Sequence, residues 1–129
     1  MNRVSCKTFT AQVTIGLNIG YTTDIISLQT VKQELFTAQK AIKKEYDVVL
    51  STKIRLCEIA FLGQEEPSVE LEFIQYPKFI HEESLLKKAI IQLTELMMTA
   101  LQQNRVVIVF NDETIMLEKS EEVDPNIQF

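Results

Sequence analysis

Tryptophan is absent from this sequence, histidine occurs once, cysteine twice and glycine three times. Each scarcity closes a class of chemistry. A lone His81 excludes a metal site built on two histidines. Cys6 and Cys57 lie far apart without CxxC spacing, so neither a zinc site nor a disulfide framework follows, and both read as free thiols of a reducing compartment. A phosphate-cradling P-loop needs glycine followed by lysine and a hydroxyl, and neither Gly16 nor Gly20 in VTIGLNIGYTTD is followed by lysine.

Basic residues are also in deficit, 13 against 18 acidic ones, for a net charge of −5. Affinity for nucleic acid comes mostly from neutralising phosphates, so a nucleic-acid polymer is not an expected partner. The acids fall in scattered pairs such as Glu65-Glu66 and Glu82-Glu83, too dilute for a DNA mimic and suited to solvated faces. No apolar run approaches a membrane span, and MNRVSCKTFTAQ lacks the apolar region of a secretory signal. The expectation is a cytoplasmic protein with no membrane partner.

What is present is strongly patterned. From Lys7 to Ile19, Phe9, Ala11, Val13, Ile15, Leu17 and Ile19 alternate with Thr8, Thr10, Gln12, Thr14, Gly16 and Asn18, the period of a strand buried on one face. Leu28, Val31, Leu35, Ala38 and Ile42 then recur at helical spacing, with Ser27 placed to cap and Lys43-Lys44 suited to the negative end of the helix dipole. Val48 to Leu62 reads as a second strand whose phase changes near Leu56, where a bulge or burial on both sides is expected. GQEEP is the turn into a third strand at Val69 to Phe73, and Pro77 ends it. A second apolar stripe from Leu86 to Leu101 is a helix, RVVIVF at Arg105 to Phe110 a strand, and Ile115 to Leu117 a short return.

The order β-α-β-β-α-β is the ferredoxin-like split βαβ arrangement, an α+β two-layer sandwich with two helices on one face of an antiparallel sheet. The domain is taken as residues 1–117, with 118–129 an acidic flexible tail. The bare face would carry Thr8, Thr10, Thr14 and Asn18, Lys53, Arg55 and Cys57, and Glu70, Glu72, Ile74 and Tyr76. A sheet without helices on one side commonly buries that side against a second subunit, so a homo-oligomer is expected.

No nucleophile and base stand together in any motif. His81 in HEES reads as the start of a helix, Cys57 as an inert thiol, and Met97-Met98 as core. The stretch TIGLNIGY, Thr14 to Tyr21, and LQQNRVVI, Leu101 to Ile108, resemble short ferredoxin-like proteins of bacteria and their phages. That resemblance implies the fold and no chemistry. A tautomerase of this fold would imply a proline behind Met1, where Asn2 stands, and the small monooxygenases imply a cofactor or a cavity histidine.

The function expected is therefore a non-enzymatic binding protein without cofactor, one version being a phage-type sponge that sequesters a small anionic or nucleotide-type ligand. The alternatives are a small enzyme of the same fold or a protein-binding inhibitor. Candidate ligand contacts are Asn18, Tyr21, Thr22, Arg55, Tyr76, Lys78 and Arg105, with tyrosines to stack on a ring and cations and amides to hold negative charge.

Overall fold

The computed structural model describes residues 1–129. Its elements are β1 (Thr10–Gly16), α1 (Leu28–Tyr46), β2 (Lys53–Phe61), β3 (Gln64–Ile74), α2 (Glu83–Ala100), β4 (Arg105–Phe110) and β5 (Thr114–Glu118). The strands form one antiparallel sheet in the order β2-β3-β1-β4-β5. The fold is the expected α+β arrangement with the return strand β5 added as a fifth member.

The alternation in β1 organises the core. Phe9, Ala11, Val13, Ile15 and Leu17 are all buried, as are Val69, Leu71 and Phe73 of β3 and Val106, Ile108 and Phe110 of β4. Over them lie Val31, Leu35, Ala38 and Ile42 of α1 and Leu86, Ala89, Ile90, Leu93 and Met97 of α2. Helix α1 starts where Ser27 accepts the amide of Thr30 at 3.1 Å, and ends at Asp47, left-handed at φ 55° and paired with Lys43. No helix is long and apolar enough to cross a membrane.

Three local expectations are corrected. Strand β2 begins at Lys53 rather than Val48; Val48 and Leu50 are buried in the preceding connection, so their apolarity serves the core and not a strand. No bulge interrupts β2, which pairs with β3 in unbroken register from Lys53–Glu72 to Phe61–Gln64. Its phase change reflects exposure on both sides, because β2 is an edge strand and Leu56 stays uncovered beyond the helical layer.

The turn is not GQEEP but Leu62-Gly63, both at positive φ (49° and 79°), while Gln64 to Pro67 continue the strand. A two-residue turn with two positive φ values matches the right-handed twist of its strands. The hairpin consequently extends past the end of β1, whose last partner is Ser68, and carries the exposed Ile59, Phe61 and Leu62 outward as an arm.

Leucine in the left-handed region costs on the order of 1 kcal/mol against asparagine or glycine. Leu62→Asn is expected to stabilise the chain by about 0.5–1 kcal/mol in urea unfolding, since it relieves that strain without removing a buried contact. A loss of stability on this substitution would mean that Leu62 packs against something in solution.

Candidate functional site

The uncovered face of the sheet can be read row by row from the strand register. One row runs Arg55, Glu70, Thr14, Val107, Met116, and the next runs Lys53, Glu72, Gln12, Val109, Thr114. Toward the arm come Cys57, Ser68 and Gly16, then Ile59 and Glu66. The middle is short and polar, whereas Val107, Val109 and Met116 are exposed apolar groups at one edge.

Arg55 lies in this face and is held by it. Its guanidinium meets Glu70 at 2.5 Å and Glu72 at 3.6 Å, and Lys53 stands 3.9 Å from Glu72. Hydrogen bonding to Glu70 raises the Arg55 pKa further, so this cation is committed to its cross-strand partners. Burial, with the charge of Glu70 second, pushes the Cys57 thiol up, which keeps it protonated and a poor nucleophile.

Glu66 differs from the other acids of the face. It forms no ion pair, and its carboxyl folds over the bare backbone of Gly16, where an added Cβ would come 2.1 Å from Oε1. The residue as a whole is exposed, yet its carboxyl sits against the backbone of Gly16; desolvation first, and the charge of Asp124 second, push its pKa up. The glycine in β1 therefore serves close approach, with Glu66 and the Gln103 amide as the approaching groups.

Gln103 fastens this end by donating from Nε2 to the carbonyls of Asn18 (2.7 Å) and Leu101 (3.0 Å). Next to it the corner Gly20 to Asp24 closes on itself through Ile19 N to Asp24 O at 2.8 Å and Thr22 Oγ1 to Ile19 O at 2.7 Å. Asn18, Tyr21, Thr22 and Arg105 are thus gathered at the Gly16 end, Thr22 as turn chemistry and Tyr21 and Arg105 with polar groups facing the segment after β5. That segment returns along this end, with Asn126 bonded to the Tyr21 carbonyl, Gln128 to Gln64, and Phe129 edge-on to Phe61 at 5.7 Å.

Tyr76 and Lys78 are not brought to this end. Ile74 pairs with Thr10 at the far end of β1, so the loop after it lies a full strand length away, about 20 Å. There Tyr76 and Phe79 border a mostly apolar cleft of about 410 Å³ floored by Phe9, Phe73, Leu86 and Ile90. Gln75 seals its edge, donating to the His81 carbonyl at 2.7 Å and accepting the His81 amide at 3.0 Å.

One protomer therefore holds two separate groups of candidate contacts. Sequence reading did not single out Glu66, Gln103 or Asn104. The available signal was Gly16 on the open face of β1, which required some neighbour to fill its missing side chain.

A carboxyl whose pKa is raised by folding binds protons more readily in the native than in the unfolded chain. Stability then falls as pH rises from the unfolded value, near 4.5, through the raised native one. Glu66→Gln is expected to raise the melting temperature at pH 7 and to lose that advantage below about pH 4. An equal advantage at both pH values would remove desolvation of the carboxylate as the cause.

No family model matches the chain, and no curated protein matches it. Solved structures do. A phage SAM lyase in complex with S-methyl-5'-thioadenosine shares the fold at a TM-score of 0.65 and 17% identity, over 95% of this chain and 98% of that one. A phage SAM lyase in the apo state gives the same TM-score and coverage at 19% identity. At this level of identity the likeness establishes the fold alone, the ferredoxin-like arrangement expected from the sequence.

Proposed function

We propose that this chain binds a sulfonium nucleoside of the S-adenosylmethionine type and cleaves it to the neutral thioether nucleoside. The observation that carries this reading is Glu66, a carboxyl without a cation, laid over Gly16 in a sheet whose other open-face acids hold Arg55 and Lys53. A partly desolvated carboxylate is the group a sulfonium or ammonium centre would seek, and pairing with such a cation would relieve its burial. The likeness to the phage SAM lyases over nearly the whole chain supports the same ligand class.

The chemistry suits a site without a nucleophile and base. A sulfonium carries its own leaving group. When the carboxylate oxygen of the methionine part attacks the carbon bonded to sulfur, one C–O bond forms, one C–S bond breaks and the electron pair goes to sulfur. A cyclic ester and methylthioadenosine result, with no proton transferred. The protein need only hold the chain bent for that attack, a contribution of positioning rather than of acid–base catalysis.

The site would be completed by a second copy. The open face has apolar residues exposed at its β4–β5 edge, the β2–β3 arm projects three more, and one protomer leaves its candidate contacts on opposite ends of the sheet. Packing of these faces in a dimer or larger closed assembly would bury the exposed groups and enclose Glu66. Light scattering after size exclusion is expected to give a mass of at least two chains; a monomer at micromolar concentration would contradict this part.

Sequestration without chemistry is the second reading, which the Glu66 carboxyl over Gly16 supports equally as a partner for the cation alone. The two separate in one experiment, incubation of the purified chain with S-adenosylmethionine followed by chromatography. Methylthioadenosine is the expected product, with release below saturating substrate slowed about 10- to 100-fold in Glu66→Gln through weaker binding of the cation. Substrate recovered intact with a calorimetric binding signal would select sequestration, and intact substrate without one would refute both readings.

A further inference from the structure

Three hydrogen-bond donors at the Gly16 end converge on a single backbone oxygen, the carbonyl of Glu122. Tyr21 Oη lies 3.0 Å from it, Asn104 Nδ2 3.1 Å and Arg105 Nη2 3.3 Å. Their placement is fixed from behind. Arg105 is aligned by its Nε bond to Glu118 at 2.8 Å, and Tyr21 Oη also accepts from Asn104 Nδ2 at 3.2 Å.

A carbonyl oxygen offers two lone pairs, which Tyr21 and Arg105 alone can fill, and Asn104 Nδ2 divides its two hydrogens among this oxygen, Tyr21 Oη and the Ser120 carbonyl at 3.1 Å. A carboxylate presents about four acceptor positions and a full negative charge, enough for all three donors. We infer that Tyr21, Asn104 and Arg105 form a receptor for a ligand carboxylate, and that the chain's own segment after β5 occupies it as a built-in competitor. The same segment brings Asp124 toward Glu66, where its charge opposes ionisation. Release of the segment would therefore uncover the anion receptor and remove a negative charge beside the proposed cation partner in one movement.

The competitor is held locally. Asn104 Oδ1 accepts the Ser120 amide at 2.9 Å, and the Asn104 carbonyl accepts the Lys119 amide at 2.8 Å. Beyond Glu122 the contacts are few and exposed: Asn126 to Tyr21, Gln128 to Gln64, and the Phe61–Phe129 ring pair. A tethered group of this kind competes at an effective concentration on the order of millimolar, enough to weaken a ligand without excluding it.

The inference rests on the sulfonium-nucleoside reading only for the choice of nucleoside probes. Calorimetry would compare the full chain with a chain ending at Lys119, using S-adenosylhomocysteine, which carries the carboxylate, and methylthioadenosine, which lacks it. The shortened chain is expected to bind S-adenosylhomocysteine about tenfold more tightly, with the gain abolished by Arg105→Gln, while methylthioadenosine changes by less than about twofold. Equal affinity of both chains for S-adenosylhomocysteine would overturn the competitor role.

Should the shortened chain fail to fold, hydrogen exchange on the full chain takes its place. Amides of residues 119–126 are expected to exchange faster at saturation with S-adenosylhomocysteine and not with methylthioadenosine, and unchanged exchange overturns the inference. If neither nucleoside binds, the sulfonium reading fails by itself. The receptor is then read from the Asn104 side-chain amide resonance, which acetate is expected to shift and chloride not; no shift with acetate would end the inference as well.

Discussion

One-sided burial of β1 is the constraint on which the rest of this structure depends. Phe9, Ala11, Val13, Ile15 and Leu17 must leave water together, and burying one face of a strand turns every alternate residue to the other face. Residues paired with β1 in β3 and β4 follow the same parity. The helices can therefore cover only one side, and Thr10, Gln12, Thr14 and Gly16 are committed to the other as a shallow floor between Glu70, Glu72 and Val107.

The register makes the electrostatics specific. Arg55 and Lys53 stand directly opposite Glu70 and Glu72 on the adjacent strand and meet them across the β2–β3 pair. These pairs are exposed to solvent, where each contributes little to stability, and they serve to fix which carboxylates are already taken. Glu66, opposite Ile59 rather than a cation, is left over. Gly16 gives its carboxyl room to fold inward, so the absence of one side chain creates the uncommon charge of the face.

Much of the fold was legible because period-two and helical apolar patterns report burial directly. β1, both helices and β4 could be placed from spacing alone, and Ser27 and Lys43 marked the limits of α1. The β2–β3 hairpin was harder to place. An edge strand exposed on both sides has no single buried phase, and a turn made by Leu62-Gly63 lacks the asparagine or aspartate that announces such turns. The site was less legible than the fold. Tyr21 and Arg105 stood out by residue type, but Glu66 and Asn104 acquire their roles only from the chain that folds over them.

The two ends of the sheet offer competing environments: a charged, donor-rich end at Gly16 and an apolar cleft near Phe79. A nucleoside bearing a cation and a carboxylate matches the first, and a purely apolar molecule the second. A crystal structure of the chain soaked with S-adenosylhomocysteine, which carries an ammonium and a carboxylate, discriminates between them most directly. The ligand is expected at the Gly16 end, its sulfur side toward Glu66 and a second copy of the sheet face closing over it. A ligand seated instead among Phe9, Phe73 and Phe79 of a single protomer would contradict the proposed site.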